Sequence, residues 1–387
     1  MLKKLSGYLA TYTLVSALAL LVPLIITPHM QLHEGDEEYS ISQILIIASF
    51  ISLIASFSLM NMLPIVRVKK NQEYLNRITT KLILFYFLSS AVFGLTMTLF
   101  FPIIVSLKAT IYALMTMIYS TIIIYYQSVE KNGSIVKNAL VYYSLNITIY
   151  FFLYEQLSLP VDNSRIFAQI STVIILLIFQ IKIFNFDSIF SSYEWKEILK
   201  YITSIAFHVI FGLTLTYLDK ASIFWFFEDQ SEIKYSFLVL YFMPFAAFYN
   251  QLFNAAKPEI YRKTEAYFPL SKLFVLNIAA SGLLLTIYSG MLYYYLNLMS
   301  IDFSSNLFIL VALVTFTWTH YLVPASIMIY NNRNASLSKV SFIFCLIGFG
   351  IVLLLRDIQW EVDMVLKGYI LLILCYNLTL QKMANDL

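Results

Sequence analysis

Long apolar runs separated by short polar joints repeat down this chain. They fall at roughly 7–28, 41–63, 82–105, 109–127, 135–154, 166–183, 201–226, 235–256, 273–298, 306–330, 340–355 and 364–380. Most approach or exceed 20 residues, enough to cross a hydrocarbon core of ~30 Å as a helix. The shorter alternating segments of a membrane barrel are absent. No polar stretch is long enough to fold as a soluble domain. The pattern predicts an all-α integral membrane protein with twelve transmembrane helices.

Composition agrees with the pattern. The 387 residues are 60% hydrophobic and 12% charged, with a mean hydropathy of +0.77, against about 25% charged residues in soluble proteins. The first run, Leu5 to Pro28, is longer than a signal-peptide core and lacks a small-x-small cleavage site, so it reads as a retained span. With the amino terminus placed in the cytoplasm, 19 of the 25 Lys and Arg fall on the inner side, the bias that sets topology. Acids lean outward, with Glu34, Asp36, Glu37 and Glu38 in the first outer loop. Both termini are therefore predicted to be cytoplasmic. Cys345 and Cys375 fall inside apolar runs and give no disulfide framework.

The chain also reads as two halves. Glu38-Tyr39-Ser40 opens the second span and Lys234-Tyr235-Ser236 the eighth. The second ends near Asn61 and Pro64-Ile65-Val66-Arg67. The eighth ends near Asn254 and Pro258-Glu259-Ile260-Tyr261-Arg262. The offsets, 196 residues at Tyr39/Tyr235 and 194 at Pro64/Pro258, are close to half the chain. An even number of spans per half makes this a parallel repeat, the plan on which many transporters are built. The segment from Phe184 to Lys200, rich in aromatics beside Lys196 and Lys200, suits the headgroup layer. The expected organisation is a six-helix lobe over 1–183, an interfacial hinge over 184–200 and a second six-helix lobe over 201–387.

Candidate chemistry concentrates between Leu199 and Lys263. Ionisable groups at membrane depth are costly and face a bundle interior or a wet cavity. His208 and Asp219 lie 11 residues apart, so they share one helical face about 16 Å apart along the axis. In the eighth span Met243, Ala247, Asn250, Asn254 and Lys257 also share a face, with Pro244 placed to loosen the helix. His208, Asp219, Lys220, Asn250, Gln251, Asn254 and Lys257 are thus cavity-lining candidates, with Tyr217 and Tyr249 as faces for a sugar ring. Each also has a structural reading. His208 can be a neutral interhelical hydrogen-bonding group, Asp219-Lys220 a self-satisfied pair, the amides interhelical glue and Lys257 a topology signal. No Gly-rich phosphate loop, metal-spaced Cys/His set or nucleotide-binding domain occurs, so the reading is a secondary-type transporter and not an enzyme. No cofactor is called for. Coupling to H+ or Na+ is left open, with Asp219 and His208 as its titratable groups.

The order of these residues resembles a family. A Leu-Lys-Tyr start at 199–201, a mid-span His208, the Asp219-Lys220 pair, Tyr235-Ser236 opening the next span and its exit through Asn250, Gln251, Asn254 and Pro258 are similar to the polysaccharide flippases. These export O-antigen and capsule repeat units within the multidrug/oligosaccharidyl-lipid/polysaccharide (MOP) exporter superfamily. The first half offers the same order at Pro23, Ile26-Thr27-Pro28-His29 and Glu37-Glu38-Tyr39-Ser40, which adds His29 to the cavity candidates. The chain departs from the family at Ser204 and Phe207, where prolines are common, at Pro28-His29, where an arginine often follows the threonine, and at Ser40, where glycine is common.

The resemblance implies alternating-access flipping of polyprenyl-diphosphate-linked oligosaccharide repeat units across the bacterial inner membrane. It implies a multi-pass protein among membrane lipids, working with a polysaccharide polymerase and glycosyltransferases and not with nucleic acid. An ion-coupled multidrug exporter of the same superfamily is the alternative, whose cavity would favour acids. A membrane glycosyltransferase or polymerase fits less well, because no outer loop is large enough to build its site.

Overall fold

The computed structural model describes residues 2–386, apart from 34–39, 57–58, 60–61, 64–65, 67–69, 130, 187–188, 190, 227–229, 266–269, 332 and 356–360. At some helical positions, Ser204, Gln251, Asn254 and Lys257 among them, only the backbone is described. The chain is 90% helical with no strand among the described residues. The long helices in chain order are α1 (Leu2–Leu32), α2 (Ile41–Ser56), α3 (Gln72–Met97), α4 (Ile103–Ser128), α5 (Asn132–Phe151) and α6 (Val161–Phe179). They continue as α7 (Ser192–Phe226), α8 (Gln230–Glu265), α9 (Leu270–Leu298), α10 (Ser305–Tyr330), α11 (Asn334–Leu355) and α12 (Val362–Asn385).

Among the described residues, α3, α4, α6, α9, α10, α11 and α12 contain stretches long and apolar enough to cross a membrane. α5 falls outside that group because Tyr, Asn and Lys dilute its apolar character. Polar residues recurring on one face are what make such helices informative. Caps follow local sequence. Asn71 accepts the Tyr74 N–H to start α3 at 2.9 Å, and Pro102 and Pro160 immediately precede α4 and α6.

Two helices run further than their sequence suggests. α8 continues through Pro244 and Pro258 to Glu265, and α1 continues through Pro23 and Pro28 to Leu32. Each proline removes one N–H bond, a loss that neighbouring helices and local backbone adjustment absorb in membrane bundles. The segment beyond Ser192, expected to belong to the hinge, is the first part of α7.

The chain divides into two compact units, Met1–Ala206 and Phe207–Leu387. In the first, α1 packs on α5, α2 on α3 and α4, α4 on α3, α5 and α6, and α5 on α6. In the second, α8 packs on α9 and α10, α10 on α9, α11 and α12, and α11 on α12. There α7 meets α11 through His208–Ser341 and through the Phe211 and Phe342 rings, 4.8 Å between centroids. If α7 is counted as the first helix of its unit, every pair in the first unit has its counterpart in the second. Small residues permit the closest approaches. A Cβ on Gly94 would sit 2.9 and 3.0 Å from Thr110 Cγ2 and Cβ, so α3 and α4 touch there as only glycine permits. Leu88, Val92, Leu95 and Leu99 of the α3 stretch remain exposed in one line, the surface expected toward hydrocarbon.

Candidate functional site

The first unit contains a polar system built on one face of α5. Asn138, Tyr142, Asn146 and Tyr150 recur every fourth residue and cover about 18 Å of helix axis. All four are buried, so each needs partners, and each has one. Gln180 donates Nε2–H to Asn138 Oδ1 at 2.8 Å and accepts from the Tyr126 hydroxyl. Tyr142 and Asn146 both donate to Gln169 Oε1, at 2.7 and 3.0 Å, and Gln169 Nε2 reaches Thr116 Oγ1 at 3.4 Å. The Tyr119 ring stacks on Tyr142 at 3.6 Å between centroids. At the far end Tyr150 shares a 2.8 Å hydrogen bond with His29 Nδ1. A π-helical turn, Phe152–Gln156, then brings Tyr154 against both His29 and His33, whose rings stack at 4.3 Å.

Arg165 lies in the middle of this system. It is 5% exposed, one turn into α6. One Nη donates to Asn146 Oδ1 and the other to the Tyr112 hydroxyl at 2.5 Å, with the guanidinium 5.3 Å from the Tyr112 ring centre. Two of its five donors are thus held by neutral groups. Among the described residues no carboxylate lies within ion-pair distance of it. The nearby acid on the same helix, Asp162, is bound by Lys108.

The other buried charges are compensated. Lys81 and Glu194 pair at 2.7 Å, Asp219 and Lys220 at 3.0 Å, and Asp162 with Lys108. Of the six charged residues buried in the described structure (Lys81, Asp162, Arg165, Glu194, Asp219 and Lys220), only Arg165 lacks an opposite charge. Ionisable groups within a spanning helix are costly and face a bundle interior or a wet cavity.

The sequence candidates of the second unit occupy separate clusters. His208 is buried with both ring nitrogens engaged, Nδ1 with Ser341 Oγ at 3.3 Å and Nε2 with the Tyr321 hydroxyl at 2.6 Å. Ser341 also shares a hydrogen bond with the Tyr376 hydroxyl at 2.8 Å, and Gly212 leaves room for the imidazole on its own helix. Asp219 is fully buried three turns beyond His208. It accepts from Lys220 at 3.0 and 3.1 Å and from the Tyr235 hydroxyl at 2.5 Å, while Lys220 lies 5.1 Å above the buried Tyr217 ring. Tyr235, noted in the sequence only as a repeat marker, is thus a ligand of the buried acid. Tyr249 donates to Asn277 Oδ1 at 2.7 Å, and Asn250 beside it is exposed. The side chains of Gln251, Asn254 and Lys257 lie outside the described residues.

The structure therefore brings together Tyr217, Asp219, Lys220 and Tyr235, and keeps His208 and Tyr249 in their own clusters. Sequence reasoning missed Arg165, Tyr112, Asn146 and Gln169. Their signal was the same one used for the eighth span, i+4 polar spacing on α5 and Asp162, Arg165, Gln169 at i, i+3, i+7 on α6. No group of three or more His, Cys, Asp or Glu converges on a metal position among the described residues.

No protein-family model matches the sequence, and no curated protein matches it. Solved structures do match. The chain is similar to a mutant of the Vibrio cholerae MATE transporter VcmN (TM-score 0.62, 13% identity, 99% of this chain and 96% of that one). It is also similar to an outward-facing multidrug resistance MATE family transporter of the MOP superfamily (0.55, 12%, 99% and 94%). A third is a MOP superfamily transporter from Pyrococcus furiosus whose reversed binding-pocket polarity suggests a different function (0.57, 11%, 99% and 95%). At these identities the likeness is one of fold. The chain has the fold of MATE transporters, and its many apolar helices make it a multi-pass membrane protein.

Proposed function

We propose that this chain is a secondary-type transporter that flips an anionic, lipid-linked glycan across the bacterial inner membrane. The substrate class is a polyprenyl-diphosphate-linked oligosaccharide repeat unit, and the product feeds O-antigen, capsule or exopolysaccharide assembly. Twelve spans with both termini in the cytoplasm, in two six-helix lobes that rock in alternation, are part of this reading. The carrying observation is the charge pattern. Every buried acid in the described structure is neutralised, and one buried cation, Arg165, is not. A diphosphate needs a cation and neutral donors, and a guanidinium beside tyrosine and amide groups supplies both. The α5 face adds the hydroxyls and amides that a sugar requires.

The multidrug reading is favoured by the names of the structural neighbours. Against it stands the lack of an unpaired buried acid among the described residues, the group an exporter of cationic drugs would employ. The deciding experiment is genetic. Cells that depend on this gene should lose surface polysaccharide and accumulate lipid-linked repeat units when Arg165→Gln replaces the wild type at equal protein level. Arg165→Lys, which keeps the charge and loses the fork, should retain part of the activity. Normal surface polysaccharide in Arg165→Gln cells, or acquired resistance to cationic dyes in cells expressing the wild type, would turn the assignment toward drug export.

A further inference from the structure

The rim of the first unit where Lys70 and the start of α3 meet the start of α7 presents three lysines toward the outside. Two acids occur in this part of α7, and both are turned onto α3. Glu194 is 2% exposed and accepts from Lys81 Nζ at 2.7 Å and from Ser191 Oγ, with Arg77 at 3.8 Å. Glu197 accepts the Tyr74 hydroxyl at 2.8 Å. The exposed acid nearby, Glu73, is held by Arg77 at 2.5 Å. The lysines point the other way. Lys70, Lys196 and Lys200 are all exposed, and Tyr193 and Leu199 between them are more than half exposed. Aromatic contacts join the two elements into one surface. Lys70 Nζ lies 5.5 Å from the centre of the Tyr74 ring, and Tyr74 meets the Tyr193 ring edge-on at 6.2 Å. Tyr193, Lys196 and Lys200 follow one helical face at i, i+3 and i+7.

We infer that this surface, Lys70 with Tyr74, Tyr193, Lys196, Leu199 and Lys200, is a docking site for the headgroups of acidic phospholipids in the leaflet that the rim faces. Phosphodiester headgroups match three lysines beside which Glu194 and Glu197 are turned onto α3 and the exposed Glu73 is held by Arg77. The tyrosines and Leu199 match the headgroup–acyl boundary, where amphipathic rings and aliphatic side chains settle together. The pair Lys81–Glu194 is the positioning element, because it holds the acidic side of the helix on α3 and leaves the basic side outward. Each juxtamembrane lysine contributes about 1 kcal/mol of attraction to an acidic leaflet, so removing two should weaken retention by roughly 20- to 30-fold.

The test uses the full chain purified in an uncharged detergent and titrated with phosphatidylglycerol or phosphatidylcholine, with bound lipid counted by native mass spectrometry. The wild type should retain phosphatidylglycerol in preference. The double variant Lys196→Gln/Lys200→Gln should lose that preference, the Lys→Arg pair should keep it, and Lys339→Gln, an exposed lysine elsewhere, should not change it. A melting curve equal to wild type for the double variant shows that the protein remains folded, since both side chains are exposed. Undiminished preference in the double variant, or an equal loss in Lys339→Gln, would overturn the inference. Displacement of the lipid by millimolar glycerol phosphate would overturn it too, since the site would then read a free phosphate and not a membrane surface.

Discussion

Replacing Glu194 by Gln should destabilise the first unit more than any surface change of equal size. Lys81 is fully buried, and its ammonium is held by Glu194 at 2.7 Å and the Ser191 carbonyl at 2.6 Å, with the Trp195 ring 5.9 Å away. Removing the carboxylate charge leaves a buried cation with only neutral acceptors, a change that costs about 3–5 kcal/mol. The carboxyl's own ionisation gives a second route to the magnitude. Burial opposes its charge, but hydrogen bonds from Lys81 and Ser191 prevail and hold it down at about 2 from an ordinary 4.5, a difference worth about 3 kcal/mol. Glu194 lies in the first turn of α7, seven residues before the apolar run that begins at Tyr201. Because its pKa is depressed on folding, its stabilisation is complete above pH 4.5 and is lost as the pH falls toward 2. Thermal unfolding in detergent is the assay, comparing wild type, Glu194→Gln, Lys81→Met and the double variant Lys81→Met/Glu194→Gln. Either single change should lower the midpoint by roughly 10 °C. The double variant should regain much of it, because it buries no charge. If the double variant is destabilised by the sum of the two singles, the pair is not coupled and the reasoning fails.

Other substitutions follow from the same packing. Gly94→Ala puts a methyl group into Thr110 of α4 and should cost about 1–3 kcal/mol, with Thr110→Ala restoring part of it in the same melting assay. Asp219→Asn should destabilise the second unit by about 3 kcal/mol by leaving Lys220 without its acid, whereas Tyr235→Phe should cost about 1–2 kcal/mol. Equal effects of those two changes would mean that the hydroxyl, and not the ion pair, sets the stability there.

The helical, multi-pass character of this chain was legible in its apolar runs, because lipid leaves a spanning segment few other choices. Local chemistry was partly legible. Asp219 and Lys220 are adjacent in sequence, so their pairing could be read directly, and the Tyr235 that completes them opens the next helix. The Arg165 system was not found, because its partners come from α4, α5 and α6, with Tyr112 53 residues away and Asn146 19 residues away. Spacing shows which residues share a face, but not which faces meet. The residues that carry the family resemblance lie in spans 1, 2, 7 and 8, and none of them belongs to α4 or α6. His208 shows the other limit: a mid-span histidine looks the same in sequence whether it faces a cavity or is bonded at both nitrogens by Tyr321 and Ser341.

The central claim is that the transported species is anionic and meets a buried, uncompensated arginine. Purified wild type and Arg165→Gln should be placed in vesicles with a fluorescent polyprenyl-diphosphate oligosaccharide on one side. A membrane-impermeant quencher then reports how much of it crosses, and a cationic dye is tested in parallel. The account predicts wild-type crossing of the diphosphate lipid, no dye transport, and loss of crossing in Arg165→Gln at unchanged reconstitution. Dye transport by the wild type, or equal crossing of the diphosphate lipid by both proteins, would contradict it.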